Sequence, residues 1–150
     1  MATFNSTEYG NTVAVPPVMN DACDEHGRVR VAAFTYTQSG AGTAGDNVLL
    51  TTLPGGTVRV LQISVNYSAF GASRTLKVGH TGYTTMANAS VAASTTAFLA
   101  STSIATAATT TSDITSKWTT RTGLVVSGLV EGGTLPDAAT INGYILYSID

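Results

Sequence analysis

Six segments of this chain alternate β-branched or aromatic residues with small or polar ones, and turns containing Gly or Pro separate them. Residues 28–37 (RVRVAAFTYT), 46–53 (DNVLLTTL), 57–67 (TVRVLQISVNY), 74–80 (RTLKVGH), 122–130 (TGLVVSGLV) and 138–149 (ATINGYILYSI) read as strands, because such side chains fit a pleated, half-buried surface. Short strands at this spacing predict an all-β, antiparallel β-sandwich or barrel. The connections SGAGTAGD (39–46), PGG (54–56) and AFGAS (69–73) leave no room for crossover helices, so they favour hairpins.

The alternation also assigns faces. In the last segment Ala139, Ile141, Gly143, Ile145, Tyr147 and Ile149 point one way, towards the core, and Asn142, Tyr144, Leu146 and Ser148 point the other. In 57–67 the phase slips: Val58 and Val60 share one face, whereas Leu61, Ile63, Val65 and Tyr67 fit the opposite one. A β-bulge would keep both sets inward. Asn142-Gly143 is a hairpin signal by itself, but a turn there would leave two fragments of about four residues. One strand with Gly143 at a bend or close contact fits better. Val31, Phe34, Ile63, Leu76, Val126 and Ile145 are the expected core, and EGGTLPD (131–137) turns between the closing strands.

Residues 1–27 hold few large apolar side chains. Pro16 and Pro17 lack N–H donors and bias this part towards an extended arm, with Phe4, Tyr9, Val13 and Val15 as spaced anchors for a neighbour's surface. Residues 28–150 then form a single domain. Within it, 81–121 is rich in Thr, Ala and Ser and sparse in apolar anchors. It admits a short helix near 90–100 and a strand at ITSKWTT (114–120), and it is expected to need partners to become ordered. Phe98 and Trp118 are candidates either for the core or for contact with a partner.

Charged residues make up only 11% of the chain and the net charge is −2, which provides no basic footprint for nucleic acid or for a membrane surface. The opening MATFNSTEYG has neither a basic nor an apolar signal region, and no stretch reaches the roughly 18 apolar residues of a membrane helix. A surface of Thr, Ser, Asn and Gly suits a protein covered by neighbours, as on a virus particle.

Candidate chemistry is thin. The single cysteine permits no intrachain disulfide, and Cys23-Asp24-Glu25-His26 places adjacent side chains on opposite sides of an extended chain, so no metal or other cofactor is expected. His80 runs in phase with Leu76 and Val78 and reads as a buried or rim histidine. The Gly-rich 39–46 loop precedes a strand rather than the helix and lysine of a phosphate-binding loop, and there is no Gly-x-Ser-x-Gly elbow. Asp46, Asp113, Glu131 and Asp137 lie at loops. The N-x-S/T matches at Asn5, Asn66 and Asn88 are ones a chain so rich in Ser and Thr produces by chance. No catalytic residue is expected.

The VAVPP arm, the run HGRVRVAAFTYTQSGAGTAGDNVLLTTLPGGTVRVLQISVNYSAFGASRTLKVGHTGY (26–83) and the closing VSGLVEGGTLPDAATINGYILY (126–147) resemble small head decoration, or cement, proteins of tailed bacteriophages, which are encoded beside the major capsid protein. The RVRV strand, the L-P-G-G-x-V-R-V turn and the S-A-F-G-A-S-R-T-L run carry the likeness. It implies a jelly-roll-like sandwich that trimerises on the outer surface of a capsid, with the major capsid protein as partner and no enzymatic activity. Two other classes stay open: a phage fibre, tail or adhesin domain that recognises a host glycan, and a small-ligand binder or enzyme with a polar pocket at His80 or His26.

Overall fold

In the computed structural model, residues 14–16 and 28–149 are described. The strands are β1 (Arg30–Thr37), β2 (Asn47–Leu53), β3 (Gly56–Tyr67), β4 (Thr75–His80), β5 (Tyr83–Thr84), β6 (Ser90–Val91), β7 (Ser94–Ser103), β8 (Ala108–Asp113), β9 (Lys117–Thr120), β10 (Leu124–Glu131) and β11 (Thr140–Ile149). A first sheet runs in the order β1-β11-β3-β8, with β9 also paired to β3. A second runs β2-β10-β4-β7, and β5 and β6 make a small ladder.

All six expected strands are present, but the expected hairpins among the first four are not. β1 and β3 lie in the first sheet, β2 and β4 in the second, so each short connection crosses from one layer to the other. Each sheet interleaves early with late strands, the winding of a jelly roll. Alternation buries one face of the six expected strands, and stepping to the opposite layer lets successive strands cover each other's apolar faces with little loop. The 39–46 segment shows the consequence. Gly42 N donates to the Leu135 carbonyl at 2.9 Å and Gly45 N to the Val130 carbonyl at 3.1 Å, so this loop joins the other crossing loop, 132–139, at one end of the sandwich instead of closing a hairpin.

β3 carries the expected bulge. Leu146 lies opposite Gln62 and Tyr147 opposite Val60, which leaves Leu61 as the extra residue. Val58, Val60, Ile63, Val65 and Tyr67 all point inward as a result, whereas Leu61, expected inward with them, is the bulged residue itself and stays half-buried outside the core. β11 is a single strand, and at Gly143 a Cβ would lie 2.1 Å from the Ser64 carbonyl oxygen and 2.8 Å from Phe34 Cζ. That is the close contact the sequence suggested: the Phe34 ring fills the space of the missing side chain.

Two expectations are corrected. Val31 is 61% exposed rather than core, since Ala32, Phe34 and Tyr36 form the inner side of β1 and period two places Val31 opposite them. Residues 81–121 find order within the chain. β7 spans the region where a helix was admitted, and Phe98, Leu99, Ile104, Ile114 and Trp118 all enter the core. β8 and β9 fill the edge of the first sheet on either side of the β3 bulge, where Ile114 N donates to the Leu61 carbonyl at 2.8 Å.

Candidate interaction surface

The described chain builds no reactive constellation. His80 is buried, with Nδ1 2.9 Å from the Thr81 carbonyl, and its ring packs edge-on at 5.3 Å from Tyr83, 6.2 Å from Phe98 and 6.3 Å from Trp118. It is a core histidine in an aromatic cluster. Phe98 and Trp118, considered above as contacts, lie 5.0 Å apart in that cluster and are 1% and 8% exposed, so their side chains belong to the interior and not to a contact face.

The acids among the described residues serve the scaffold. Asp46 accepts from Thr43 N at 2.6 Å and from the Thr43 hydroxyl, which holds its carboxyl below the usual range. Asp137 accepts from Gly40 N at 2.7 Å, Asp113 from Gln62 Nε2 at 2.8 Å, and Glu131 pairs with Lys77 at 2.7 Å. Among the described residues no three His, Cys, Asp or Glu side chains come together as a metal site. Cys23 and His26 lie outside the described residues.

The surface is more informative. In the first sheet, residues directly opposite one another share a face, and three rows cross its outer side: Val31, Leu146, Gln62 and Asp113; Ala33, Tyr144, Ser64 and Thr111; Thr35, Asn142, Asn66 and Thr109. Neighbouring strands lie about 4.8 Å apart, so these rows form a shallow, nearly continuous face. Its polar side chains bond to one another. Asn66 Nδ2 donates to the Thr109 hydroxyl at 2.8 Å, and the Gln62–Asp113 bond closes the far edge. Asn142 Oδ1 is buried there with no hydrogen-bond partner.

At the β1 side the same face turns apolar. Tyr144 is 39% exposed, Val31 follows it diagonally on the next strand, and Val29, two residues before Val31, is also exposed. Of these residues sequence reasoning assigned Tyr144 and Leu146 to the outer side but missed the valines; counting by two from Phe34 would have found Val31. Of the expected arm contacts, Val15 and Pro16 are described and both are exposed, Val15 at 96%. Phe4, Tyr9, Val13 and Pro17 lie outside the described residues.

The fold recurs in viral shells. One chain in a solved structure of the cyanophage Pam1 capsid asymmetric unit superposes with a TM-score of 0.63 at 18% identity, over 100% of both chains. A chain in the structure of infectious bursal disease virus Gt strain matches with a TM-score of 0.52 at 14% identity, and one of the Gx strain with 0.50 at 11%; each covers 81% of this chain but 32% of the viral one. No family model and no curated protein matches the sequence. At these identities the likeness establishes a shared all-β jelly-roll architecture, in the cyanophage case along the whole length of the chain.

Proposed function

We propose that this chain is a non-enzymatic structural protein of a virus particle, one that decorates the outer surface of a bacteriophage capsid and stabilises it by bridging subunits of the major capsid protein. The observation that carries this reading is the end-to-end superposition, over 100% of both chains, on a chain of a cyanophage capsid asymmetric unit. The surface supports it. Partners that must fit closely gain from shape and hydrogen bonding more than from charge, and small Thr, Ser and Ala side chains lose little rotamer entropy when covered. Many copies on one shell supply avidity, so each contact can be modest.

The protein acts as a homotrimer in this reading, with residues 28–150 as the sandwich and residues 1–27 as an arm laid on a neighbour through Phe4, Tyr9, Val13, Val15, Pro16 and Pro17. It needs no nucleic acid, membrane or cofactor. Quantitative electrophoresis of purified virions tests the role: hundreds of copies per particle are expected, and a handful would refute it. A fibre or tail domain that binds a host glycan is the second reading, and the exposed Tyr144 ring with Asn142 and Asn66 on the adjoining row favours it. A low copy number together with glycan binding abolished by Tyr144→Ala would establish that alternative.

A further inference from the structure

We propose that the apolar corner made by Val29, Val31 and Tyr144 is the seat of the Val15–Pro16 segment of a second copy of this chain. The inference rests on the multi-copy assembly proposed above and names the surface through which copies meet.

Of the large hydrophobic side chains exposed among the described residues, Val31 and Tyr144 lie diagonally on adjacent strands and Val29 precedes Val31 by two residues, whereas Leu49 and Met86 stand apart on β2 and in the β5–β6 turn. The corner adjoins an unguarded sheet edge. β1 is the outermost strand of the first sheet, pairs with β11 alone among the described residues, and carries a single charged residue, Arg30 at its start, with no Lys, Arg, Asp, Glu or Pro from Val31 to Thr37. Sheet edges left without a charge, a proline or a cover are templates for pairing with another chain.

The same chain holds a segment suited to that place. Val15 is 96% exposed, so within one chain its side chain is not on the corner; donor and seat are both left open. The sequence around it, VAVPP, is uncharged, and so are the outer-face β1 side chains Val31, Ala33 and Thr35, so apolar contact on that face strips water from no ion. Pro16 has no N–H, so backbone pairing with β1 would end at Val15 and leave apolar contact with Val31 and Tyr144 beyond it.

Two differently tagged copies, both Cys23→Ser, are co-expressed, one with Val15→Cys and the other with Val31→Cys. Mild oxidation is expected to join the two tags covalently, and Leu49→Cys in place of Val31→Cys is expected to abolish the product. Equal bridging to position 49, no bridging, or a bridge formed only inside a chain carrying both cysteines overturns the proposal. As a second measurement, Tyr144→Glu is expected to shift the species seen by light scattering to smaller mass while far-UV circular dichroism stays unchanged; an unchanged mass in a folded variant likewise overturns it. Cross-linking without a high virion copy number would leave this seat standing and remove the decoration role, and the reverse result would do the opposite.

Discussion

At Gly143 the fold leaves no room for even one methyl group, because the obstruction is the Ser64 carbonyl at 2.1 Å, which is backbone and cannot rotate away. Gly143→Ala is therefore expected to destabilise the protein by about 1–3 kcal/mol through overpacking. Gly128 is the internal comparison. A Cβ there meets only Leu76 Cδ1 at 3.4 Å and Leu50 Cδ1 at 3.6 Å, flexible side-chain tips at near-ordinary contact, so Gly128→Ala should cost under about 1.5 kcal/mol. Urea unfolding of both variants checks the contrast, and equal midpoints would contradict it. Asp46 gives a residue-scale pH effect. Bonds from the Thr43 hydroxyl and then the Thr43 backbone lower its folded pKa from the ordinary 3.8, so the folded state keeps the carboxylate ionised where the unfolded chain has begun to protonate. Its contribution is therefore present above about pH 4 and is lost as pH falls through the lowered folded value. The carboxylate is open to solvent, whose screening keeps the effect small. Asp46→Asn, which cannot titrate, should show a shallower loss of thermal stability on acidification below about pH 4, and an identical acid limb would exclude the linkage.

Among the elements, β3 shows what a sequence discloses and what it withholds. The phase slip between Val60 and Ile63 announced the bulge, because a strand with one buried face must correct its parity somewhere. Gly143 inside β11 was legible for the same kind of reason: splitting that strand would have left fragments too short to pair. Strand pairing was not legible. Alternation states which side chains point inward but not which of two layers a strand joins, so turns such as 39–46 read as hairpins although they cross between sheets. β7 and β8 were obscure because their inward positions include Ala and Thr, whose burial leaves almost no hydrophobic period, while Phe98, Ile104 and Ile114 anchor them from isolated places. The outer-face site was half legible, since Tyr144 and Leu146 follow from the β11 alternation but the apolar corner depends on β1 lying beside β11. The bulge also has a structural duty. β3 pairs with β9 below it and β8 above it, and Leu61 supplies the carbonyl that receives Ile114 N where one gives way to the other. Deleting Leu61 would restore a regular in–out alternation yet remove that acceptor and shift one neighbour's register. A loss of about 1–3 kcal/mol is expected, above that of Leu61→Ala, which keeps the backbone. Chemical denaturation decides between them, and a deletion no worse than the alanine variant would show the bulge to be dispensable.

For the whole molecule, the distribution of charge means that the proposed assembly would be governed by fit rather than by ion pairs. Across the three outer rows of the first sheet the one charged side chain is Asp113, at the edge farthest from β1, and it is already bonded to Gln62. Contacts made through that face should therefore respond little to screening: the oligomer distribution is expected to stay the same from about 0.05 to about 0.5 M salt, whereas an ion-paired interface would loosen. Among the described residues the buried cluster runs from Phe34 to Tyr147 and includes none before β1. Stability and association should therefore separate when the first residues are removed. In the proposed role, a chain lacking residues 2–17 is expected to keep its strand-rich circular dichroism and its thermal midpoint within a few degrees, because no described member of the cluster is lost, while its mass by light scattering falls and its attachment to phage heads that lack it weakens. If the shortened chain associates and attaches like the full one, the tether lies on the sandwich itself. If it does not fold, residues 2–17 complete the core rather than reach for a neighbour.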